Sequence, residues 1–440
     1  MGLAKKIEGI ILWRGLYVVS VFIINLLMAR LLGAGPSGNF YILLNNLSFI
    51  ILLVGFCVES AIVYFGASER IKVQKLATFS LIWSVAAWVI SCIILLFCWP
   101  ALMKEYNLLW LSGYIFSFLL INNSTAIFQV RHNFTMYSFL LLMMNVLLIF
   151  FLIIVLSGIL SKAVISGSVN EEELSGNYSI SANFLVVFIQ AILLVSFSWR
   201  TIKRPWFQLP DFFEVKLILK YAVLSLSTNI VFFLVYRVDY WFISYFWQDK
   251  DLGNYIQVSK LVQLFMVFPT FLGTIIFPTS AKGDVLQLNE KLAALSRVIF
   301  TFYLIILSIL IVIGKTLFPF LYGESFSGMY LPFILLIPGI LALSIHSLIT
   351  AYYAGKNKVI VNLKGALLAL LFILVLDYLL IPVFGNSGAA IASSVGYLVY
   401  AIFMFYIFHK DQHLSFLQFL LIKKGDWHWL KQRIINNNGT

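Results

Sequence analysis

A few charged residues of this chain lie within long apolar segments, where ionised side chains are rare and usually functional. The cations are Arg30, Arg237 and Lys260, and the acids are Glu59, Asp239 and Asp377. Arginine donates paired hydrogen bonds to phosphate or carboxylate oxygens, and lysine adds a point charge. A carboxylate deep in a membrane can take up a proton or pair with Na⁺. The cations therefore predict an anion site, and the acids predict ion coupling or gating.

Each of these charges also has a structural interpretation. The cations could extend to lipid headgroups or pair with a nearby acid, and Glu59 could bond to a neighbouring helix. Arg237 and Asp239 do not face one another, because residues two apart on a helix differ by about 200° around its axis. Lys260 is therefore a candidate partner for Asp239, and this pairing would compete with an anion for Lys260.

Three aromatic residues, Tyr236, Tyr240 and Trp241, surround Arg237. The faces of such rings can stack on sugars, so these residues are candidate sugar contacts. Tyr and Trp near the end of a membrane segment also serve as interfacial anchors, and the sequence leaves this alternative open.

The elements that carry these residues are predicted to be membrane helices. Hydrophobic residues make up 62% of the chain and charged residues 11%, against about 25% charged in a soluble domain. Apolar runs of about 20 residues, long enough to cross a hydrocarbon core, recur along the sequence. We expect an all-α integral membrane protein with about twelve spans, including the second at 39–65, the sixth at 183–199 and the seventh at 221–246.

The tripeptide Gly38-Asn39-Phe40 returns as Gly253-Asn254-Tyr255 about half the chain later, each time beside a long apolar segment. This repeat predicts a duplicated bundle. Six spans per half would start both halves from the same side, which indicates two parallel six-helix lobes around a central cavity. The predicted parts are an N-terminal lobe at 1–199, a cytoplasmic linker at 200–220, a C-terminal lobe at 221–408 and a cytoplasmic or interfacial tail at 409–440.

Loop charges predict the orientation of the chain. With the N-terminus in the cytoplasm, most loop lysines and arginines lie on the cytoplasmic side. The opposite loops hold mainly Lys104, Lys162 and Lys250. Both termini are then cytoplasmic. The net charge of +12 follows from this asymmetry and requires no nucleic acid partner.

The sequence shows no enzyme signature. We find no phosphate-binding loop, nucleophile elbow or metal-spaced His and Cys set. The acidic cluster Glu171 to Glu173 is expected in a solvated loop. We therefore expect no catalytic residues, no metal site and no bound cofactor, with a coupling proton or Na⁺ as the open possibility.

Several segments resemble bacterial polysaccharide flippases of the Wzx type, in the multidrug/oligosaccharidyl-lipid/polysaccharide (MOP) exporter superfamily. The matching segments are Ala29-Arg30-Leu31-Leu32-Gly33, Gly38-Asn39-Phe40-Tyr41, Phe320-Leu321-Tyr322-Gly323-Glu324-Ser325-Phe326, Gly355-Lys356-Asn357, and Ile381-Pro382 with Gly385 and Gly388-Ala389-Ala390-Ile391-Ala392. The similarity covers essentially the whole chain, and the last segment is the most specific.

This resemblance implies a multi-pass protein of the bacterial cytoplasmic (inner) membrane. It would move undecaprenyl-diphosphate-linked oligosaccharide, such as an O-antigen repeat unit for lipopolysaccharide, from the inner to the outer leaflet by alternating access. Arg237, Arg30 and Lys260 would then bind the diphosphate, and a polysaccharide polymerase of the same pathway would be a partner besides membrane lipids. The alternatives are a cation-coupled exporter of small amphipathic molecules and, third, a membrane polymerase or transferase.

Overall fold

A computed structural model describes residues 3–98, 107–131, 133–157, 171–202, 207–281, 285–412 and 417–420. Within these ranges every regular element is helical and no strand occurs. The predicted all-α class is therefore confirmed. Residues 421–440 of the predicted tail and the segment 158–170 lie outside the described ranges.

The first half of the chain forms seven α-helices in the ranges above. They are α1 (Leu3–Leu32), α2 (Ala34–Gly55), α3 (Val58–Ala67), α4 (Val73–Cys98), α5 (Leu108–Val130), α6 (Phe134–Leu156) and α7 (Glu171–Arg200). The second half adds α8 (Phe212–Phe246), α9 (Asp249–Ala281), α10 (Val285–Tyr322), a 3₁₀ helix (Glu324–Met329), α11 (Tyr330–Gly355), α12 (Val359–Phe384), α13 (Asn386–Gln412) and the short α14 (Leu417–Leu420).

Twelve stretches of the described chain are long and apolar enough to cross a membrane, which confirms the predicted number. Three boundaries differ from the prediction. The segment expected to be one span at 39–65 is two helices, α2 and α3. Helix α7 begins at Glu171, so the acidic cluster expected in a loop is helical. Helix α8 begins at Phe212, within the segment expected to be a linker.

The helices group into two compact units. Unit 1 contains Met1–Gly33 and Phe40–Ile230, and unit 2 contains Ala34–Asn39 and Val231–Thr440. Two helices are therefore divided between units: α2 begins in unit 2 and continues in unit 1, whereas α8 begins in unit 1 and ends in unit 2. The predicted lobe limits stay a prediction.

Apolar and ionic contacts hold the first half of α8 within unit 1. Ile218 and Ala222 are fully buried in a cluster that includes side chains of α3, α4 and α5. Lys75 of α4 binds the Glu214 carboxylate at 2.7 Å. Asp211 and Glu214 also accept hydrogen bonds from each other's backbone N–H groups, a capping box that fixes the start of the helix.

Equivalent contacts in the two units support the parallel duplication. In unit 1, Arg131 follows the fourth span and donates a hydrogen bond of 2.8 Å to the carbonyl of Thr201, after the sixth. In unit 2, Lys358 follows the tenth span and binds Asp411, near the end of the twelfth, at 2.9 Å. The same pair of helix ends is thus tied by a cation in each half.

Candidate functional site

Asp239 of α8 is enclosed within unit 2 and held by uncharged donors. Its side chain is 2% exposed. It accepts hydrogen bonds from the Tyr255 hydroxyl, from the Ser393 hydroxyl at 3.0 Å and from the Tyr240 backbone N–H at 3.0 Å. These contacts join α8, α9 and α13 around one carboxylate. The donors are hydroxyl and amide groups. The pairing of Lys260 with Asp239 stays a prediction.

Asp377 of α12 is the second buried acid of this region. It is 0% exposed, and neither carboxyl oxygen has a hydrogen-bond partner among the described residues. It lies near enough to Asp239 for the two charges to repel each other. Buried carboxyl oxygens normally have partners. A proton shared by the pair, or a small cation held by carboxyl and hydroxyl oxygens, would satisfy them.

Arg237 of α8 and Lys260 of α9 are two cations of unit 2. Arg237 is half-buried, with its guanidinium 5.1 Å from the centre of the Phe233 ring. Lys260 of α9 is half-buried and near enough to Arg237 for the two positive charges to interact. Two like charges in a poorly solvated region repel, so an anion between or beside them would be stabilised.

Arg30 and Glu59 lie in unit 1. Arg30 is an exposed residue in the last turn of α1. Its predicted role beside Arg237 stays a prediction. Glu59 is half-buried in the first turn of α3, where the helix dipole stabilises a negative charge.

The second span is interrupted just before Glu59. Phe56 and Cys57 have φ values of 57° and 52°, a left-handed conformation that is uncommon for residues other than glycine. The Trp83 indole donates to the freed carbonyl of Gly55 at 3.1 Å, and the Asn229 amide lies 3.5 Å from the Cys57 sulfur. Interrupted helices often form ion and substrate sites in transporters. Glu59 therefore keeps its candidate role in coupling or gating.

The predicted sugar contacts occupy different environments. Tyr240 is 4% exposed, and its hydroxyl donates a hydrogen bond to the Ser259 hydroxyl at 2.7 Å. In this conformation the Tyr240 side chain therefore packs inside unit 2. Tyr236 packs against Tyr397 at 5.8 Å, and Trp241 lies 6.1 Å from the Phe233 ring. Both are half-buried. Sugar binding by all three stays a prediction.

The glycines of the two tripeptide copies, Gly38 and Gly253, lie at a close backbone contact within unit 2. A Cβ on Gly38 would lie 2.2 Å from the Asp249 carbonyl oxygen, and one on Gly253 would lie 1.9 Å from the Ala34 carbonyl oxygen. Only glycine permits so close an approach of two backbones. We call this contact between Ala34–Asn39 and Asp249–Asn254 the outer crossing, because the predicted topology places it at the outer face.

Further hydrogen bonds bring another segment of the family resemblance to the outer crossing. Asn39 donates to the Asp249 carboxylate at 2.9 Å. The backbone N–H of Ala34 donates to the Ser325 hydroxyl at 3.1 Å, and the Asn254 amide donates to the Ser325 carbonyl at 3.2 Å. The flippase-like segments after the first and ninth spans therefore meet the second tripeptide at one place.

The turn between α12 and α13 also depends on a glycine in close contact with another element. Trp247 donates its indole N–H to the Ile381 carbonyl at 2.7 Å. Gly385 has φ of 55°, and a Cβ there would lie 2.9 Å from the Trp247 ring. Gly385 and Trp247 thus fix the end of α8 against this turn. Asp239 lies on the same helix, two turns before Trp247.

Tyr255, Ser393 and Gln257 belong to this region but were not predicted from the sequence. Tyr255 is the aromatic residue of the second tripeptide, and Ser393 follows directly after the Gly-Ala-Ala-Ile-Ala segment. The available signal was a position within the tripeptide for Tyr255 and directly after the segment for Ser393. Gln257 lies one turn after Gly253 on α9, and its side chain has no hydrogen-bond partner among the residues described.

The chain has the fold of membrane transporters of the MOP superfamily. The lipid II flippase MurJ in an inward closed conformation is similar with a TM-score of 0.72 at 16% identity, over 94% of this chain and 89% of that one. An inward-facing multidrug resistance MATE family transporter gives 0.69 at 16% identity, over 90% and 94%. A mutant of the Vibrio cholerae MATE transporter VcmN gives 0.64 at 16% identity, over 95% and 98%.

These solved structures are a flippase and two transporters. No family model matches the sequence, and no curated protein matches it either. The similarity to these structures therefore concerns the fold. The substrate has to be inferred from the residues of the candidate site.

Proposed function

We propose that this protein is a flippase that moves undecaprenyl-diphosphate-linked oligosaccharide, an O-antigen or similar repeat unit, from the inner to the outer leaflet of the cytoplasmic membrane by alternating access. The observation that carries the proposal is that two half-buried cations of unit 2, Arg237 and Lys260, lie on candidate membrane-spanning helices and are close enough for their charges to interact. A diphosphate is an anion with several oxygens, and two cations would replace its hydration with charge-assisted hydrogen bonds. The similarity to a lipid II flippase supports a lipid-linked substrate.

We further propose that Asp239 and Asp377 bind the coupling ion. Their oxygen donors, together with the hydroxyls around Asp239, suit either a proton or Na⁺. Asp377 lacks a hydrogen-bond partner in the part of the chain that the structure describes, so an ion would satisfy a group that the protein leaves unpaired. Glu59 is a second candidate for coupling or gating.

A cation-coupled exporter of small amphipathic molecules is the second candidate function. The buried acid pair and the similarity to MATE transporters favour it. A cationic drug would bind acids, however, whereas the half-buried pair Arg237 and Lys260 would repel it. The cation pair therefore favours the anionic lipid substrate.

Deletion of the gene in its native host separates the two functions. The flippase proposal predicts loss of the surface polysaccharide, restored by the intact gene, with no change in drug susceptibility. Altered drug susceptibility with normal surface polysaccharide would overturn the proposal and favour the exporter. A polymerase encoded beside the gene would supply the expected partner.

A further inference from the structure

Four residues of α9 form a row along one face of the helix. Asp249, Gly253, Gln257 and Lys260 follow one another at intervals of four, four and three residues. Such intervals place residues on the same side of a helix, one turn above the next. The row therefore runs from the outer crossing at Asp249 and Gly253 to the cation Lys260, with Gln257 between them.

Gln257 is an unsatisfied polar group at the centre of this row. Its side chain is 1% exposed, and neither the amide nitrogen nor the amide oxygen has a partner among the described residues. Buried side-chain amides are nearly always hydrogen-bonded, because an unpaired one loses its contacts with water and gains none. A paired buried glutamine of this chain is Gln190, which donates to Asn145 at 2.9 Å.

The neighbours of Gln257 indicate what would pair with it. Lys260 lies one turn away on the same face and is close to Arg237 of α8. These cations suit the oxygens of a phosphate, which only accept hydrogen bonds from cations. Gln257 instead offers both donors and an acceptor. A sugar hydroxyl also donates and accepts, so it matches the glutamine amide better than a phosphate does.

We propose that Gln257 is a further substrate-binding residue that contacts a hydroxyl of the sugar joined directly to the diphosphate. This inference rests on the proposed function, since the position of the diphosphate at Arg237 and Lys260 defines where the first sugar lies. Gln257 would then make the site selective for a glycosylated lipid over the bare lipid diphosphate. The amide of Gln257, which has no partner among the residues that the structure describes, would pair with this hydroxyl.

The test compares two probes on the purified full-length protein: undecaprenyl diphosphate, and the same lipid with one attached hexose. In the wild type the attached sugar should strengthen binding by about tenfold, the effect of one good hydrogen bond. Gln257→Leu should lose this gain, bind the bare lipid unchanged, and unfold at the same or a higher temperature, because leucine removes an unpaired polar group.

Gln190→Leu is the matched control, because it makes the same substitution at a paired, buried glutamine of unit 1. It should unfold at a lower temperature and keep the gain from the sugar. If Gln257→Leu retains the full gain, or if it weakens both probes equally, the role of Gln257 is overturned while the flippase proposal stands. If the wild type binds neither probe, the proposed function itself fails, and the inference fails with it.

Discussion

Arg237 and Asp239 show how far single residues could be interpreted from the sequence. Their spacing on a helix predicts that the two side chains point to different faces. In the structure, Arg237 lies over the Phe233 ring. Asp239 instead accepts hydrogen bonds from Tyr255 and Ser393. The partners of Asp239 could not be predicted, because Tyr255 and Ser393 come from other helices and are uncharged. Sequence spacing describes neighbours on one helix, whereas these hydrogen bonds depend on how α8, α9 and α13 pack.

Replacement of Arg237 tests the proposed contact with diphosphate. We expect Arg237→Ala to reduce surface polysaccharide by about tenfold or more, because hydrogen bonds to charged groups contribute about 1.5–3 kcal/mol. Arg237→Lys should restore part of it, since the paired geometry is lost. Lys315→Ala removes an exposed cation of α10 and should have little effect. Normal polysaccharide in a well-expressed Arg237→Ala strain would contradict the role.

Replacement of Asp377 tests ion coupling. Asp377→Asn keeps the shape of the side chain but removes the negative charge that would hold a proton or Na⁺. We expect transport that no longer responds to an imposed ion gradient, measured in liposomes, with the folded protein retained. Glu290→Gln, an exposed acid of α10, should respond as the wild type does. An unchanged gradient response in Asp377→Asn would exclude this acid from coupling.

The presence of the membrane helices was predictable from the sequence. The break between α2 and α3 and the early start of α8 were not predicted. Runs of apolar residues indicated twelve spans correctly. The break at Phe56 and Cys57 contains no proline, and neither left-handed residue is a glycine or an asparagine, so the residue types at the break did not indicate it. The start of α8 was missed because its first turns, which pack against α3 and α4, follow a polar segment with two prolines.

The close backbone contact at the outer crossing predicts that a larger residue at Gly253 destabilises the protein. Gly253→Ala would place a methyl group 1.9 Å from the Ala34 carbonyl oxygen, so the backbones of α2 and α9 must separate. We expect the free energy of unfolding to fall by about 1–3 kcal/mol, the usual cost of overpacking. The midpoint of thermal unfolding of the purified protein measures this.

Gly113→Ala is the control for that substitution, because a Cβ there would have no atom within 4 Å. It lies within α5, where alanine favours the helix more than glycine does. Its unfolding midpoint should therefore be equal to or above that of the wild type. Equal midpoints for Gly253→Ala and the wild type would show that the crossing is not tightly packed.

The fold of the whole molecule was largely predictable, while its cargo was not. Composition, loop charges and a repeated tripeptide indicated a duplicated helical membrane protein, and the MOP transporter fold agrees with it. The same fold occurs in a lipid II flippase and in MATE transporters, so fold and substrate are separate questions. We propose that a few side chains select the substrate, among them Arg237, Lys260 and Gln257.

The orientation of the chain is a prediction for the whole molecule. Loop charges place Asn357, between α11 and α12, in the cytoplasm and Asn107, before α5, outside. Single cysteines at these positions, in a variant without Cys57, Cys92 and Cys98, should differ in labelling by a membrane-impermeant thiol reagent added to intact cells. Labelling of Asn357→Cys but not of Asn107→Cys would reverse the assigned topology.

The transfer of lipid-linked oligosaccharide across a bilayer by the purified protein tests the central claim most directly. Liposomes would carry undecaprenyl-diphosphate-linked oligosaccharide, and a glycan-binding reagent added outside would report how fast the inner pool becomes accessible. The account predicts faster transfer with the wild type than in protein-free liposomes, and a loss of that acceleration with Arg237→Ala. Transfer at the protein-free rate, under both a proton and a Na⁺ gradient, would contradict it.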